Sequence, residues 1–461
     1  MSTILSFMKS SGLYFLGNIL SKLIGFFLLP VYTTYIKPED LGYYDVANSY
    51  LNLIVTFLFI DIYVGIMRFV FDEKDKTYYN YPIYNGFLIF SVSLILYTLV
   101  AIIISYNIDI KYNIYIYIYG VCFVFNNLYC YLARALNFNK LFALSGVVVT
   151  LVSSVLNIIL IVYFGWNIES LFVALIFGLF SQIVIIEYKV HFLRRLSTKY
   201  FNSELLIKMF KYSLPLSLNS LAYWLLTGYS NAMIANRLGL EANGYYMIAA
   251  KFGLVINLVS TCFNFAWQEM IFKKGNDDRT HLSIFYSRAI NLLLIFLAVG
   301  IFALIPFSSV IFKYVVSEEY YGAYNIIPVY IVAAMIGVLS SFMGQIYAAL
   351  KVTSIIMYST IIACLVNVVL TPLFISYWGI LGAIIAIVIS YTTNVIMRVL
   401  LIKKTVTIHI DIKVLFTLIV SIIFSFLLYY NANVILNIVS LFLLLSVSLF
   451  LLRKYIKPLF F

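Results

Sequence analysis

Three ionisable side chains in this sequence stand where charge is costly. Lys22, Asp61 and Lys251 lie within long apolar runs, and Arg68 follows Asp61 by two helical turns, with Gly65 between them on the same face. Charges in such runs face protein or water and pair with ions or with one another. Lys22 shares a helical face with Ser11, Tyr14, Asn18 and Gly25, a polar stripe unsuited to lipid. An ammonium there, with the Asn18 amide beside it, suits an anionic ligand; a structural ion pair with Asp61 is the other reading. Lys251 reads equally as a second internal cation or as an interface anchor that snorkels roughly 12 Å to water. Asp61 and Arg68 read as a gate ion pair, as a carboxylate that couples to a cation, or as a plain structural pair. Ser213, Ser217, Ser220, Trp224, Thr227 and Asn231 recur every three or four residues. That stripe either lines a cavity and touches a ligand or packs tightly on a neighbouring helix.

Bond-making chemistry is not visible. There is no HExxH, no GxSxG and no glycine loop that cradles phosphate. Cys122, Cys130, Cys262 and Cys364 fall in apolar runs without disulfide or zinc spacing, and His191, His281 and His409 stand alone in polar gaps. No cofactor, no metal and no ATP hydrolysis are expected, and the chain is not expected to be an enzyme.

The elements that must hold these residues are helices in a membrane. The composition is 64% hydrophobic and 10% charged over 461 residues. About fourteen runs of about 20 apolar residues follow one another, each long enough to span a bilayer as a helix. A run of that length in lipid pairs its backbone internally, which extended chain cannot do. The alternation Ile114-Tyr115-Ile116-Tyr117-Ile118-Tyr119 imitates a strand, but it opens such a run and is predicted helical. The first run, with Lys9 before it and no small-residue cleavage site after it, reads as a retained span. Of the 30 Lys and Arg residues, 24 fall in every second gap and only 4 in the intervening gaps. Positive residues resist translocation, so both termini are predicted cytoplasmic, in a multi-pass protein of the inner or cytoplasmic membrane. The net charge of +12 is therefore topological, and no nucleic-acid partner is expected.

The chain also repeats itself. Gly42-Tyr43-Tyr44 with Ala47 recurs as Gly244-Tyr245-Tyr246 with Ala249, and Asn157 with Leu160 recurs as Asn367 with Leu370. A Gly–Trp turn follows each of the second pair, at Gly165-Trp166 and at Trp378-Gly379. An even number of spans per repeat gives both halves the same orientation. The expected architecture is an all-α polytopic membrane protein: a six-helix lobe over 1–195, a pseudo-symmetric six-helix lobe over 196–404, and two C-terminal helices over 405–461.

Several short motifs are familiar in combination. They are Tyr212-Ser213-Leu214-Pro215, Gly239 followed by Gly244-Tyr245-Tyr246 with Ala249 and Lys251, Glu319-Tyr320, Gly379-Ile380-Leu381-Gly382-Ala383, and Lys37-Pro38-Glu39-Asp40 before Leu41-Gly42-Tyr43-Tyr44. In order and placement the chain resembles the polysaccharide transporter family of Wzx-type flippases, within the multidrug/oligosaccharidyl-lipid/polysaccharide exporter superfamily. The resemblance implies two lobes around a central cavity and alternating access. It implies movement of an undecaprenyl-diphosphate-linked oligosaccharide to the outer leaflet for surface polysaccharide assembly, O-antigen being one such polymer. Membrane lipid, a polysaccharide polymerase and glycosyltransferases are the implied partners. On that reading Lys22 meets the diphosphate and Lys251, Asn18 and Asn231 meet the substrate. The chain departs from the family after Thr227-Gly228, where an Asp-Arg pair is common and Ser230-Asn231 stands here.

Three rivals remain. A lipid II flippase of the same architecture is expected to be richer in internal arginine. A multidrug exporter of the superfamily is expected to have twelve spans and acidic sites. A membrane polymerase or glycosyltransferase is expected to carry a large outer loop or metal-binding carboxylates. Neither cytoplasmic acidic pair, Asp72-Glu73 or Asp277-Asp278, sits in such a motif.

Overall fold

The computed structural model describes residues 24–274, 279–350, 352–402, 407–431 and 439. Lys22, Asn18 and nearly all of the fourteenth apolar run lie outside these residues. Thirteen α-helices of more than one turn organise the described residues. They are α1 (Leu29–Tyr35), α2 (Pro38–Phe59), α3 (Ile62–Asp72), α4 (Asn80–Asn107), α5 (Asn113–Ala135), α6 (Asn139–Ile158), α7 (Ile168–Val190), α8 (Ser203–Leu238), α9 (Leu240–Lys274), α10 (Arg279–Val315), α11 (Ile327–Ala349), α12 (Thr353–Ile402) and α13 (Ile412–Asn431). Among the described residues there is no strand. The alternating Ile–Tyr segment lies in α5, as its lipid setting requires.

Among the described residues eight helices are long and apolar enough to cross a bilayer, and α2 with α3 form a further such span bent by 47°. The chain is a multi-pass all-α membrane protein. α8 and α9 have 36 and 35 residues, or about 50 Å each at 1.5 Å per residue. α12 has 50 residues and holds two apolar runs joined at Gly379, whose φ of 58° and ψ of −136° break the helix. The Gly–Trp turn is thus a single-residue corner. Its counterpart Gly165, at φ +66°, closes a π-helical turn (Ile159–Tyr163) that ends α6.

The described chain forms two compact units. The first comprises residues up to Ile36 together with Tyr43–Trp224; the second comprises Lys37–Gly42 and the chain from Leu225. In the first unit α7 packs on α5 and α6, and α3 on α5. Phe59, Phe90, Phe172 and Phe192 are fully buried at its core. Phe90 meets Phe59 and Phe125 with ring centroids 5.1 Å apart in each case. In the second unit α11 packs on α9 and α12, and α10 on α13; Tyr286, Tyr320, Phe312 and Phe342 fill its interior. Tyr324 and Tyr429 stack at 4.5 Å and each hydroxyl donates to the other's carbonyl. α13 is thereby tied to the 3-10 turn Glu318–Ile326. Outward faces stay apolar, as in Ile95, Leu99, Ile102 and Ile103 of α4. Lipid solvates those faces as well as protein would, so close packing and polar ties hold the helices together.

Candidate functional site

The second span breaks where its charge lies. α2 stops at Phe59, and Ile60 and Asp61 both take left-handed backbone, with φ of 45° and 51°. Neither is glycine, so the surroundings hold a conformation that L-residues disfavour. The Asp61 carboxylate accepts a hydrogen bond of 2.7 Å from Ser220 Oγ on α8. The Tyr63 hydroxyl bonds the same carboxylate. Tyr63 in turn lies 5.1 Å from the Tyr131 ring, with the Arg134 guanidinium 5.3 Å from that ring's centre. Arg68 turns elsewhere and pairs with Asp72 at 3.0 Å, both side chains more than half exposed. The structure therefore does not join Asp61 to Arg68. The one-turn spacing from Arg68 to Asp72 supplies a nearer partner in water.

The serine stripe of α8 is a packing face in its first half. Ser213 and Ser217 are buried, and a Cβ on Gly65 would lie 2.5 Å from Ser213 Oγ. Trp224 Nε1 donates to the Ser49 carbonyl at 2.8 Å. Small residues let α3 and α8 approach, which favours the packing reading over a ligand-facing one for Ser213 and Ser217. Further along α8, Ser230 is buried, and Asn367 Nδ2 donates to the Leu225 carbonyl at 3.0 Å and to Ser230 Oγ at 3.3 Å. Asn231 is half-buried beside it, and Lys251 is half-buried in α9. Both belong to the second unit, Asp61 and Arg68 to the first.

The repeated glycines meet. Within the second unit a Cβ on Gly42 would overlap the Leu240 carbonyl, and one on Gly244 would overlap that of Pro38. Asn243 Nδ2 donates to the Gly42 carbonyl at 3.0 Å. Here the start of α2 and the start of α9 touch backbone to backbone, which only glycine permits.

Two polar clusters escaped sequence reasoning. In the first unit Asn126 of α5 donates to Gln182 Oε1 of α7 at 2.8 Å, and Gln182 Nε2 donates to Ser145 Oγ of α6 at 3.0 Å. In the second unit Arg398 is 4% exposed inside α12. Its Nε donates to Ser359 Oγ at 3.0 Å, its Nη2 to Thr360 Oγ1 at 3.1 Å, and its Nη1 to the Ser340 carbonyl and hydroxyl. By charge patterning alone Arg398 is one of the 24 cations of the alternate gaps, whereas the structure buries it. The available signal was spacing: Ser340 and Ser359 follow Asn126 and Ser145 at one common offset. A neutral amide thus joins three helices in the first unit, and a guanidinium joins α11 to both halves of α12 in the second.

Comparison with known proteins adds to this geometry. The profile of a family described as polysaccharide biosynthesis protein matches residues 7–268. Among solved structures, one titled lipid II flippase MurJ in an inward closed conformation aligns with a TM-score of 0.74 and 17% identity, over 97% of this chain and 100% of that one. An inward-facing multidrug resistance MATE family transporter of the MOP superfamily aligns at 0.64 and 15% identity, over 91% and 96%. An outward-facing one aligns at 0.55 and 16%, over 86% and 93%. At such identities the likeness concerns the fold. No curated protein matches at a significant level.

Proposed function

The chain belongs to the polysaccharide biosynthesis protein family, and we propose that it is a flippase for a lipid-linked oligosaccharide. The substrate class is an undecaprenyl-diphosphate-linked sugar unit, carried across the cytoplasmic membrane with both protein termini inside. The reading rests above all on the family match over residues 7–268, on a fold also found in a structure titled lipid II flippase. The two repeats, 1–195 and 196–404, act as lobes that rock in alternation, with the helices of 405–461 beside them. The isoprenoid tail stays in lipid while the polar head crosses. No bond is made or broken, so the protein is not an enzyme. Its products feed a polymerase, and glycosyltransferases supply its substrate.

Lys22 offsets the diphosphate charge, with Asn18 beside it; Lys251 and Asn231 contact the rest of the head group. An ammonium acts as a point charge and releases its ligand more readily than a guanidinium fork. The experiment is complementation of a strain lacking the gene, reading surface polysaccharide with protein level in parallel. Lys22→Ala is expected to abolish export with the protein still present in the membrane, and Lys22→Arg to keep part of it. Normal export by Lys22→Ala would remove this role. A second reading is lipid II itself, favoured by the 0.74 TM-score to the structure of that title. Rescue of cells depleted of their lipid II flippase would select it.

A further inference from the structure

We propose that Asn85 and Asn291 are a repeated pair of positioning residues: each grips the chain that leads out of its unit's helices and so sets where the next helix, α8 or α13, begins. On this assignment α13 stands to the second unit as α8 stands to the first, and the chain after 405 opens as a third copy of the repeat. The proposal rests on the flippase reading only for its purpose. The first observation is one pattern of three contacts made twice. In the first unit Asn85 Nδ2 donates to the Tyr81 carbonyl, one turn back in α4, at 2.8 Å and to the Tyr200 carbonyl at 2.9 Å, while its Oδ1 accepts from the Asn202 N–H at 3.0 Å. In the second unit Asn291 Nδ2 donates to the Ser287 carbonyl, one turn back in α10, at 2.8 Å and to the His409 carbonyl at 2.9 Å, while its Oδ1 accepts from the Asp411 N–H at 2.9 Å. A carboxamide carries a donor and an acceptor side by side. It therefore holds the carbonyl of one linker residue and the N–H of the second residue on.

The second observation is what is gripped. Asn202 and Asp411 are the residues immediately before α8 and α13. Each then caps its own helix, Asn202 Oδ1 accepting from the Leu205 N–H at 3.0 Å and Asp411 Oδ1 from the Lys413 N–H at 2.9 Å. Clamp and cap share one residue, so the start of each helix is tied to an earlier helix of the same unit. Further ties flank the clamps: Arg195 Nη1 donates to Asn80 Oδ1 at 3.1 Å, and the His409 N–H to Ser287 Oγ at 2.9 Å. Beyond them Met209 of α8 is fully buried beside Gly86 of α4, and α13 packs along α10. The third observation is register. The spacing from Asn85 to Asn291, and that from Asn202 to Asp411, falls between the spacings of the two sequence repeats, Gly42 with Gly244 and Asn157 with Asn367. The clamp therefore belongs to the repeat and not to one loop. The chain passes from the first unit to the second within α8. A lobe that rocks needs that helix held at its root, and Asn85, 0% exposed, holds it.

The test uses the full-length protein in lipid nanodiscs, on a background with the four cysteines replaced. One spin-label pair, Leu99→Cys with Phe201→Cys, reads the first clamp. A second pair, Phe307→Cys with Ile410→Cys, reads the other, and all four positions are exposed. Each pair spans roughly 20–25 Å of helix at 1.5 Å per residue, a distance that pulsed electron resonance resolves. Both distributions are expected to be narrow without further substitution. Asn85→Ala should broaden the first and leave the second narrow, and Asn291→Ala should do the reverse. Asn85→Asp keeps the volume and the acceptor but turns an oxygen toward the Tyr200 carbonyl. It too should broaden the first distribution, and it carries the test where the alanine variant does not fold. A first distribution that stays narrow in Asn85→Ala, or in Asn85→Asp where that variant stands in for it, overturns the clamp. So does a single substitution that broadens both distributions, since that reports general loosening. A second distribution that stays narrow in Asn291→Ala removes α13 from the assignment. The distances are read without substrate, so their failure leaves the Lys22→Ala result standing, and normal export by Lys22→Ala leaves these distances as they are.

Discussion

Arg398 keeps its charge inside the second unit with hydroxyls and one carbonyl as its acceptors. The guanidinium fork reaches α11 and the first half of α12 at once, and the Tyr347 hydroxyl donates to the Arg398 carbonyl. Truncation leaves a buried carbonyl without its donor and a void where the side chain lay. Arg398→Ala is expected to cost about 3 kcal/mol, read as a lower unfolding temperature of the detergent-solubilised protein. Arg398→Lys should recover only part, because a point charge cannot meet Ser340, Ser359 and Thr360 together. Gln182→Leu in the first unit, where a neutral amide does the same work, should cost less, about 1–2 kcal/mol. An unchanged unfolding temperature for Arg398→Ala would show that the cluster is not a staple. In the sequence Arg398 looked like one more cytoplasmic cation, because position along the chain does not say which way a side chain turns.

Helices were legible wherever apolar runs were long, because lipid leaves the backbone no other partner. What the runs did not disclose was where a helix stops within one. The break at Ile60–Asp61 has no glycine or proline to announce it; there the Asp61 carboxylate accepts from Ser220 of α8. The corner in α12 was announced, by Gly379. Its φ of 58° with ψ of −136° lies where side-chain-bearing residues are strained. Gly379→Ala is therefore expected to destabilise by about 1–3 kcal/mol, while Gly300→Ala inside α10, where an added Cβ meets nothing within 4 Å, should be neutral or better. Thermal unfolding of the two variants side by side checks the contrast. The serine stripe of α8 shows the limit of periodicity. Three-and-four spacing identified a face, and only the position of Gly65 showed that a helix covers it at Ser213.

For the whole molecule, the cation bias sets an orientation that labelling can check. A single cysteine at Asp109, exposed in the gap after α4, is expected to react with a membrane-impermeant reagent on intact cells. One at Asn202 or Lys74 should react only after lysis. The reverse pattern would invert the topology. The Gly-Tyr-Tyr motif recurs in the sequence, yet the sequence did not show that Gly42 and Gly244 would touch. That contact has a consequence in time. The ribosome delivers Pro38 and Gly42 about two hundred residues before Gly244, an interval on the order of 10–40 s at ordinary rates of synthesis. Throughout it, bare backbone at the start of α2 has not yet met the strip of chain that will cover it. Six residues made among the first must wait for the second unit to be born around them, which makes the nascent protein dependent on whatever shelters that end of α2 in the meantime.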